Sequence, residues 1–255
     1  MRPSQFPILE FDPARKAVIE PSEQIRPRDV PKHCVPCFFQ DVIDGLIESR
    51  SASEVACMKS EMGRHPLYEI EMNGRRLAVY QPGLTAPFAA AMLDEVIAYG
   101  CRKFIACGGA GVLNSDVAVG HIVVPLSAVR DEGASYHYVA PSREVEAGRE
   151  GVAAIERVLR AHGRGYVVGK TWTTDAFYRE TPAKVALRRS EGCVTVEMEA
   201  AAFFAVARFR GVQFAQMLYG GDDVSGHEWD SRKWNGRASV REDLFWLAAE
   251  ACLLL

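Results

Sequence analysis

The stretch Lys103-Phe104-Ile105-Ala106-Cys107-Gly108-Gly109-Ala110-Gly111 runs from an unbroken apolar segment into a cluster of glycines. A short, wholly apolar run bounded by glycine reads as a strand buried on both faces, which is the signature of a sheet covered by helices on either side. The spacing predicts a strand over Lys103 to Cys107 and a glycine turn after it. Without side chains, the backbone N–H groups of Gly108 and Gly109 can approach an anion or a sugar closely. A plain turn is the alternative reading. The run has neither GxGxxG spacing nor a GK[ST] ending, which argues against dinucleotide or P-loop binding.

Outward from this strand the pattern alternates. Upstream, Tyr68 to Met72 and Leu77 to Tyr80 are expected to pair around Asn73-Gly74, a strong hairpin signal, and Phe38 to Glu48 and Phe88 to Tyr99 carry apolar residues at helical spacing. Downstream, Ile122 to Val129, Tyr166 to Thr173, Val194 to Val196 and Gln213 to Tyr219 read as strands. Glu144 to His162, Pro182 to Arg189, Glu199 to Phe209 and a segment from about Val240 read as helices. Strands alternating with helices imply an α/β fold, here a single-domain three-layer α/β sandwich around a central mixed sheet. In such sheets ligands sit beyond the carboxyl ends of the strands. Residues 1–32, rich in proline and charge, are expected to form an N-terminal extension on the surface or across a subunit contact, with the remaining domain at 33–255.

Composition narrows the function. The 255 residues carry 33 acidic and 30 basic side chains, a net charge of −3, so there is no bulk positive field for nucleic acid. The apolar stretches fall far short of the ~20 residues that span a bilayer, and no secretory signal is visible, so a cytoplasmic protein with no membrane partner is expected. Seven scattered cysteines suit that compartment. Cys34-Val35-Pro36-Cys37, with His33 beside it, has the spacing of a redox pair or half a zinc site, but no second pair accompanies it. Buried thiols and no metal are therefore expected. Phe203-Phe204 and Phe245-Trp246 suit core or interface equally.

Two further strand ends carry candidate chemistry. Val196-Glu197-Met198-Glu199 opens a helix with two carboxylates flanking an apolar side chain, costly near a core unless they bind something. An ionised carboxylate accepts two hydrogen bonds from a ribose diol and Met supplies an apolar face beneath the sugar. Acids favoured by the helix macrodipole are the alternative reading. Gly220-Gly221-Asp222-Asp223 follows another strand; an aspartate there is either a turn former or a general acid, and two adjacent ones are expected to point in different directions.

At these residues the sequence resembles the nucleoside phosphorylase-I family, which includes uridine phosphorylases, hexameric purine nucleoside phosphorylases and adenosylhomocysteine-type nucleosidases. The resemblance spans roughly Leu67 to Val224. It rests on Gly108 to Gly111, Val119-Gly120-His121-Ile122-Val123-Val124, Arg130-Asp131-Glu132-Gly133-Ala134-Ser135-Tyr136-His137, Thr174-Asp175-Ala176-Phe177-Tyr178 and Val196 to Ala202, in the family's order and at similar spacing. It implies a base stacked on Phe177, a ribose packed on Met198 and held by Glu199 with Glu197 nearby, and a leaving base assisted by Asp222. The blocks around Ser135 and Phe177 look like uridine phosphorylase, whereas Asp222 falls where purine enzymes and nucleosidases carry their acid; that acid favours a purine or purine-like base. The reaction implied is cleavage of an N-ribosyl bond by phosphate, giving free base and ribose 1-phosphate, with no cofactor and with a dimeric or hexameric homo-oligomer.

The departures from the family matter as much. Its phosphorylases carry an arginine, a glycine and a small hydroxyl residue where this chain has Lys103, Ile105 and Ala106. The hairpin arginine is Glu69, the acid before the next strand is His121, and an N-terminal Gly-Asp-Pro loop is not visible. The alternatives are thus a nucleosidase using water, with Glu20 or Glu23 to activate it, or a nucleoside-binding protein without catalysis. The glutamine and arginine that read uracil have no clear counterparts, although Arg179 is close enough to substitute.

Overall fold

The structure, a computed structural model, describes residues 3–255. In chain order its elements are α1 (Pro21–Gln24), β1 (His33–Pro36), α2 (Gln40–Glu48), β2 (Ala52–Ser60), β3 (Gly63–Met72), β4 (Arg75–Tyr80), α3 (Ala86–Tyr99), β5 (Lys103–Val112), β6 (Ile122–Asp131), β7 (Glu144–Glu146), α4 (Arg149–Ala161), β8 (Tyr166–Thr174), α5 (Pro182–Ser190), β9 (Cys193–Glu197), α6 (Ala200–Arg210), β10 (Gln213–Asp223) and α7 (Ala238–Leu253). The ten strands form one mixed sheet in the order β10-β6-β8-β9-β5-β1-β4-β3-β2, with β7 beside β6. β10 also pairs with β5, so β5, β10, β6, β8 and β9 close into a ring.

Alternation along the central strand builds two cores. Phe104 and Ala106 of β5 pack with α3 and α6 on one face, while Ile105 and Cys107 pack with α2, α4 and α7 on the other. This is the period of two along a strand covered on both sides. The mixed sheet with helices on both faces matches the reading from sequence. Phe203, Phe204 and Phe245 are fully enclosed core residues. Cys34 and Cys37 are also fully buried, but three residues apart on an extended chain they face opposite ways, Cys34 into the first core and Cys37 into the second. They therefore form neither a redox pair nor half of one metal site.

The hairpin forms as expected: Met72 pairs with Arg75, and Asn73 and Gly74 take φ of 53° and 70°. Three readings are corrected. The glycines after Cys107 do not turn; β5 runs on to Val112, with Gly108 opposite Leu218, Gly109 opposite Tyr219 and Gly111 opposite Val196. Two strands flank β5 along this part, and the resulting ladder outweighs the low strand preference of glycine. The expected helix from Glu144 begins instead as β7, pairing with Ser127 to Val129, and Gly148 separates it from α4. β2, which pairs along β3, was not foreseen because its exposed edge position leaves only a weak alternating pattern.

Residues 3–29 lie mostly on the surface, with Val18 and Ile19 exposed. They are tied to the body by Glu20, whose carboxylate accepts a hydrogen bond from Arg210 Nη1 at 2.6 Å, while Arg210 Nε donates to Asp94 at 2.7 Å. No helix among the described residues is long and apolar enough to cross a membrane.

Candidate functional site

The carboxyl ends of β5, β9 and β10 converge on a cleft of about 750 Å³. Glycine makes the approach possible. A Cβ on Gly109 would lie 3.0 Å from Trp234 Cζ3, and one on Gly111 would lie 3.0 Å from Val196 Cγ1 and 3.5 Å from Asp222 Oδ1.

β9 ends at Glu197 and α6 starts at Ala200, which places Glu197, Met198 and Glu199 on the cleft wall. The two carboxylates are engaged differently. Glu197 Oε2 accepts the N–H groups of Glu199 and Ala200 at 2.8 and 2.6 Å, and its Oε1 accepts from Thr173 Oγ1 at 2.7 Å. It thus satisfies free donors at the start of α6, as the macrodipole reading requires. Glu199 turns away from the helix, and its Oε1 accepts the Thr85 N–H at 2.7 Å. Both are buried, and burial raises both carboxyls; the charge of Glu197 raises Glu199 further, whereas its own donors hold Glu197 back.

Thr85 has φ of 77°, a region that a β-branched residue rarely occupies. Strain of this kind costs about 1–3 kcal/mol and persists where surrounding structure demands it. Here it aims an N–H at Glu199 from the loop before α3.

Another part of the cleft wall is built by β10. Gly220 pairs with Ala110 and Asp223 with Val112, so Gly221 and Asp222 bulge opposite Gly111. The bulge sends Asp222 into the cleft, where its Oδ2 accepts the Trp229 indole N–H at 2.6 Å. Asp223 points elsewhere, accepting hydrogen bonds from Arg232 and from the Ser225 N–H, which hold its carboxyl below the usual range despite burial. The two aspartates diverge as the sequence reading expected. After Asp223 the chain returns through a bridge to Asp230 and lays Trp234 against Gly109 and Gly221.

Phe177 and Tyr178 form the exposed aromatic edge, in a single helical turn ending at Arg179. Phe38 and Phe39 line the cleft near β1.

The structure brings together Gly109, Phe177, Glu197, Met198, Glu199 and Asp222. It does not bring Gly108 or Arg179 to the cleft wall. Gly108 lies against Phe38, where a Cβ would meet Cδ2 at 3.0 Å, and Arg179 is exposed because the turn sends its side chain outward. The neighbouring Glu180 faces the cleft instead, its carboxyl pushed up to about 7 by burial and then by the charge of Asp222. Glu20 is bound to Arg210 and Glu23 to Lys16 at 2.5 Å, so neither lies at the cleft. Lys103 starts β5, far from its glycines, and its Nζ donates to Leu255 O at 2.5 Å; Glu69 is held by Arg76 at 2.7 Å on the hairpin. His121 lines a separate cavity with Arg164 and Tyr166. Among the described residues of the cleft wall, Arg241 is the one lysine or arginine, stacked over Phe39 and Trp234. Thr85, Glu180, Trp229, Trp234 and Arg241 were missed; the tryptophans after Asp223 were a local signal, whereas nothing near Thr85, Glu180 or Arg241 stands out.

Known proteins resemble this chain in sequence and in fold. The chain is 24% identical over 239 residues to a DeoD-type purine nucleoside phosphorylase of Vibrio parahaemolyticus, covering 93% of this chain and 92% of the relative. It is 26% identical over 171 residues to a guanosine phosphorylase of Halorubrum lacusprofundi, covering 67% and 70%. The fold is similar to a uridine phosphorylase of Vibrio fischeri, with a TM-score of 0.74, 21% identity and coverage of 89% and 94%. An AMP nucleosidase of Bacteroides thetaiotaomicron gives a TM-score of 0.70, 20% identity and coverage of 89% of both chains. The profile of the phosphorylase superfamily matches residues 32–242, most of the chain and all of the cleft, and the chain therefore belongs to that superfamily.

Proposed function

We propose that this protein cleaves the bond between ribose C1′ and a base nitrogen of a nucleoside, with phosphate as the acceptor. The observation that carries the reading is the pairing of a buried, inward-facing Glu199 beside Met198 with Asp222 across the same cleft. C1′–N cleavage passes through an oxocarbenium-like sugar, so positive charge on ribose and negative charge on the base both need stabilising. Glu199 accepts the ribose hydroxyls and stabilises the cationic sugar, Glu197 holds the turn that presents it, and Met198 supports the sugar ring. The aromatic edge of Phe177 stacks on the base. The C1′–N electron pair leaves with the base, Asp222 supplies a proton or hydrogen bond to it, and a phosphate oxygen forms the new bond to C1′. The phosphorylases among the relatives support this choice of acceptor.

One observation favours a second reading, hydrolysis. Phosphate is held by cationic or multiple N–H donors, and Lys103, Glu69 and His121 all lie away from a wall whose lysine and arginine content is Arg241 alone among the described residues. Assaying release of free base from purine and pyrimidine nucleosides, with and without phosphate, separates the readings. Phosphate-dependent release giving ribose 1-phosphate supports phosphorolysis, and phosphate-independent release giving ribose supports hydrolysis. Binding of nucleosides without release of base under either condition would show a non-catalytic protein.

A further inference from the structure

We infer that Glu180 is a specificity-determining residue that faces the exocyclic substituent of the base and accepts a hydrogen bond from an amino group there, so favouring nucleobases with an exocyclic amino group over their oxo or unsubstituted counterparts. This rests on reading the cleft as an N-ribosyl cleavage site.

The first support is position. Glu180 leaves the aromatic turn Phe177–Arg179 and precedes Thr181 and Pro182, the N-cap and first residue of α5. Thr181 Oγ1 accepts the Lys184 N–H at 3.4 Å, and proline at the start of the helix fixes the entry of the chain. Glu180 is therefore held between the stacking face and the helix while its side chain reaches the cleft. Arg179, the residue before it, faces solvent.

The second support is what the carboxylate lacks. Neighbouring acids are paired: Asp131 with Lys184 and Arg188, Glu191 with Arg143 and Arg188, Glu132 with Ser135. Among the described residues Glu180 has no such hydrogen bond or ion pair, although it is half-buried, so its acidity serves no local structural contact. Glu180 lines the same cleft as Phe177 and Asp222, three residues along the chain from the stacking ring, and so stands on the side assigned to the base.

A base entering this space removes the remaining water from Glu180. With Glu180 ionised, above its raised value of about 7, a carbonyl oxygen turned towards it sets acceptor against acceptor, whereas an amino group supplies the missing donor. Leaving a buried polar group unpaired costs more than the contact contributes, which is why such groups discriminate strongly between substrates.

The test compares kcat/KM at pH 8.5, above the raised value of Glu180, for adenosine against inosine, guanosine against inosine and cytidine against uridine, in the parent and in Glu180→Gln and Glu180→Leu. The inference expects the parent to prefer the amino member of at least one pair, and both variants to lose about 10- to 100-fold of that preference, the scale of a hydrogen bond to a charged group. Thermal melts confirm that the variants are folded. Equal or better cleavage of inosine and uridine by the parent, or a preference unchanged in both folded variants, would overturn the role of Glu180 while leaving the N-ribosyl reading in place. Should the parent cleave no nucleoside, that reading fails, and calorimetry with adenine, guanine and hypoxanthine then decides Glu180 separately. Weaker binding of an amino base in Glu180→Gln, with hypoxanthine unaffected, supports the inference; indifference to the substitution refutes it.

Discussion

Replacing Glu199 by Gln should move activity and stability in opposite directions. The substitution keeps the shape of the side chain and leaves Oε1 to accept the Thr85 N–H now made at 2.7 Å. It removes a charge that is 5% exposed and faces the position assigned to the ribosyl cation. Loss of one such preorganised contact costs about 2.7–4 kcal/mol in the barrier, or roughly 10²–10³ in kcat. Stability behaves otherwise. Burial, and then Glu197, raise the folded carboxyl above its ordinary value of 4.5, so ionisation is harder in the folded protein than in the unfolded chain. The parent is thus most stable below that ordinary value and loses stability as the pH rises towards the raised one. A tenfold weakening of an acid on folding is worth ~1.4 kcal/mol. Glutamine never ionises and escapes the loss, so the variant should match the parent near pH 4 and exceed it by at least ~1 kcal/mol at pH 8. Free-base release at saturating nucleoside at pH 8 and above, where the parent carboxyl ionises, and urea unfolding at pH 4 and pH 8 measure the two effects. Turnover within threefold of the parent, or a variant less stable than the parent at pH 8, would refute the reasoning.

Asp222→Asn should slow cleavage of purine nucleosides about 10²–10⁴-fold, the range for general acid catalysis, while uridine cleavage indifferent to the substitution would exclude the purine assignment. Gly83→Ala places a Cβ 2.0 Å from Phe88 Cδ1 at φ of +79°, so it should cost at least ~1–2 kcal/mol and, by shifting the loop that carries Thr85, raise KM for the nucleoside; a melting temperature and KM equal to the parent's would contradict this. Arg210→Met leaves the mostly buried Asp94 and Glu20 without their shared cation and should destabilise the fold by about 3–5 kcal/mol in urea titration, with a loss under 1 kcal/mol counting against a structural role for the cluster.

Much of the architecture was legible because its signals are local. The alternation of Phe104 to Cys107 declares a strand covered on both faces, and Asn73-Gly74 supplies the positive φ of a tight hairpin without help from the rest of the chain. Gly108 to Gly111 were misread as a turn for the same reason: glycine has no local preference for a strand, and only β10 and β9 on either side hold it in one. The Val196 to Glu199 segment pointed to the right place on its chemistry, yet no sequence rule separates the carboxylate that caps α6 from the one that faces the cleft.

What the sequence determined by itself is the order of most elements, β2 and β7 excepted, and the residue types at the strand ends, since periodicity and turn chemistry act over a few neighbouring residues. Which of those residues meet was decided by the tertiary structure. The closure of β5 onto β10 and β9 and the bulge at Gly221-Asp222 bring Asp222 to the same cleft as Glu199, from strand ends 23 positions apart in the chain. One residue of rotation in a short turn put Glu180 rather than Arg179 on the cleft wall, an acid where the sequence reading expects an arginine. Pairing register and side-chain direction arise from contacts between distant segments, and a pattern read along the chain carries no measure of them.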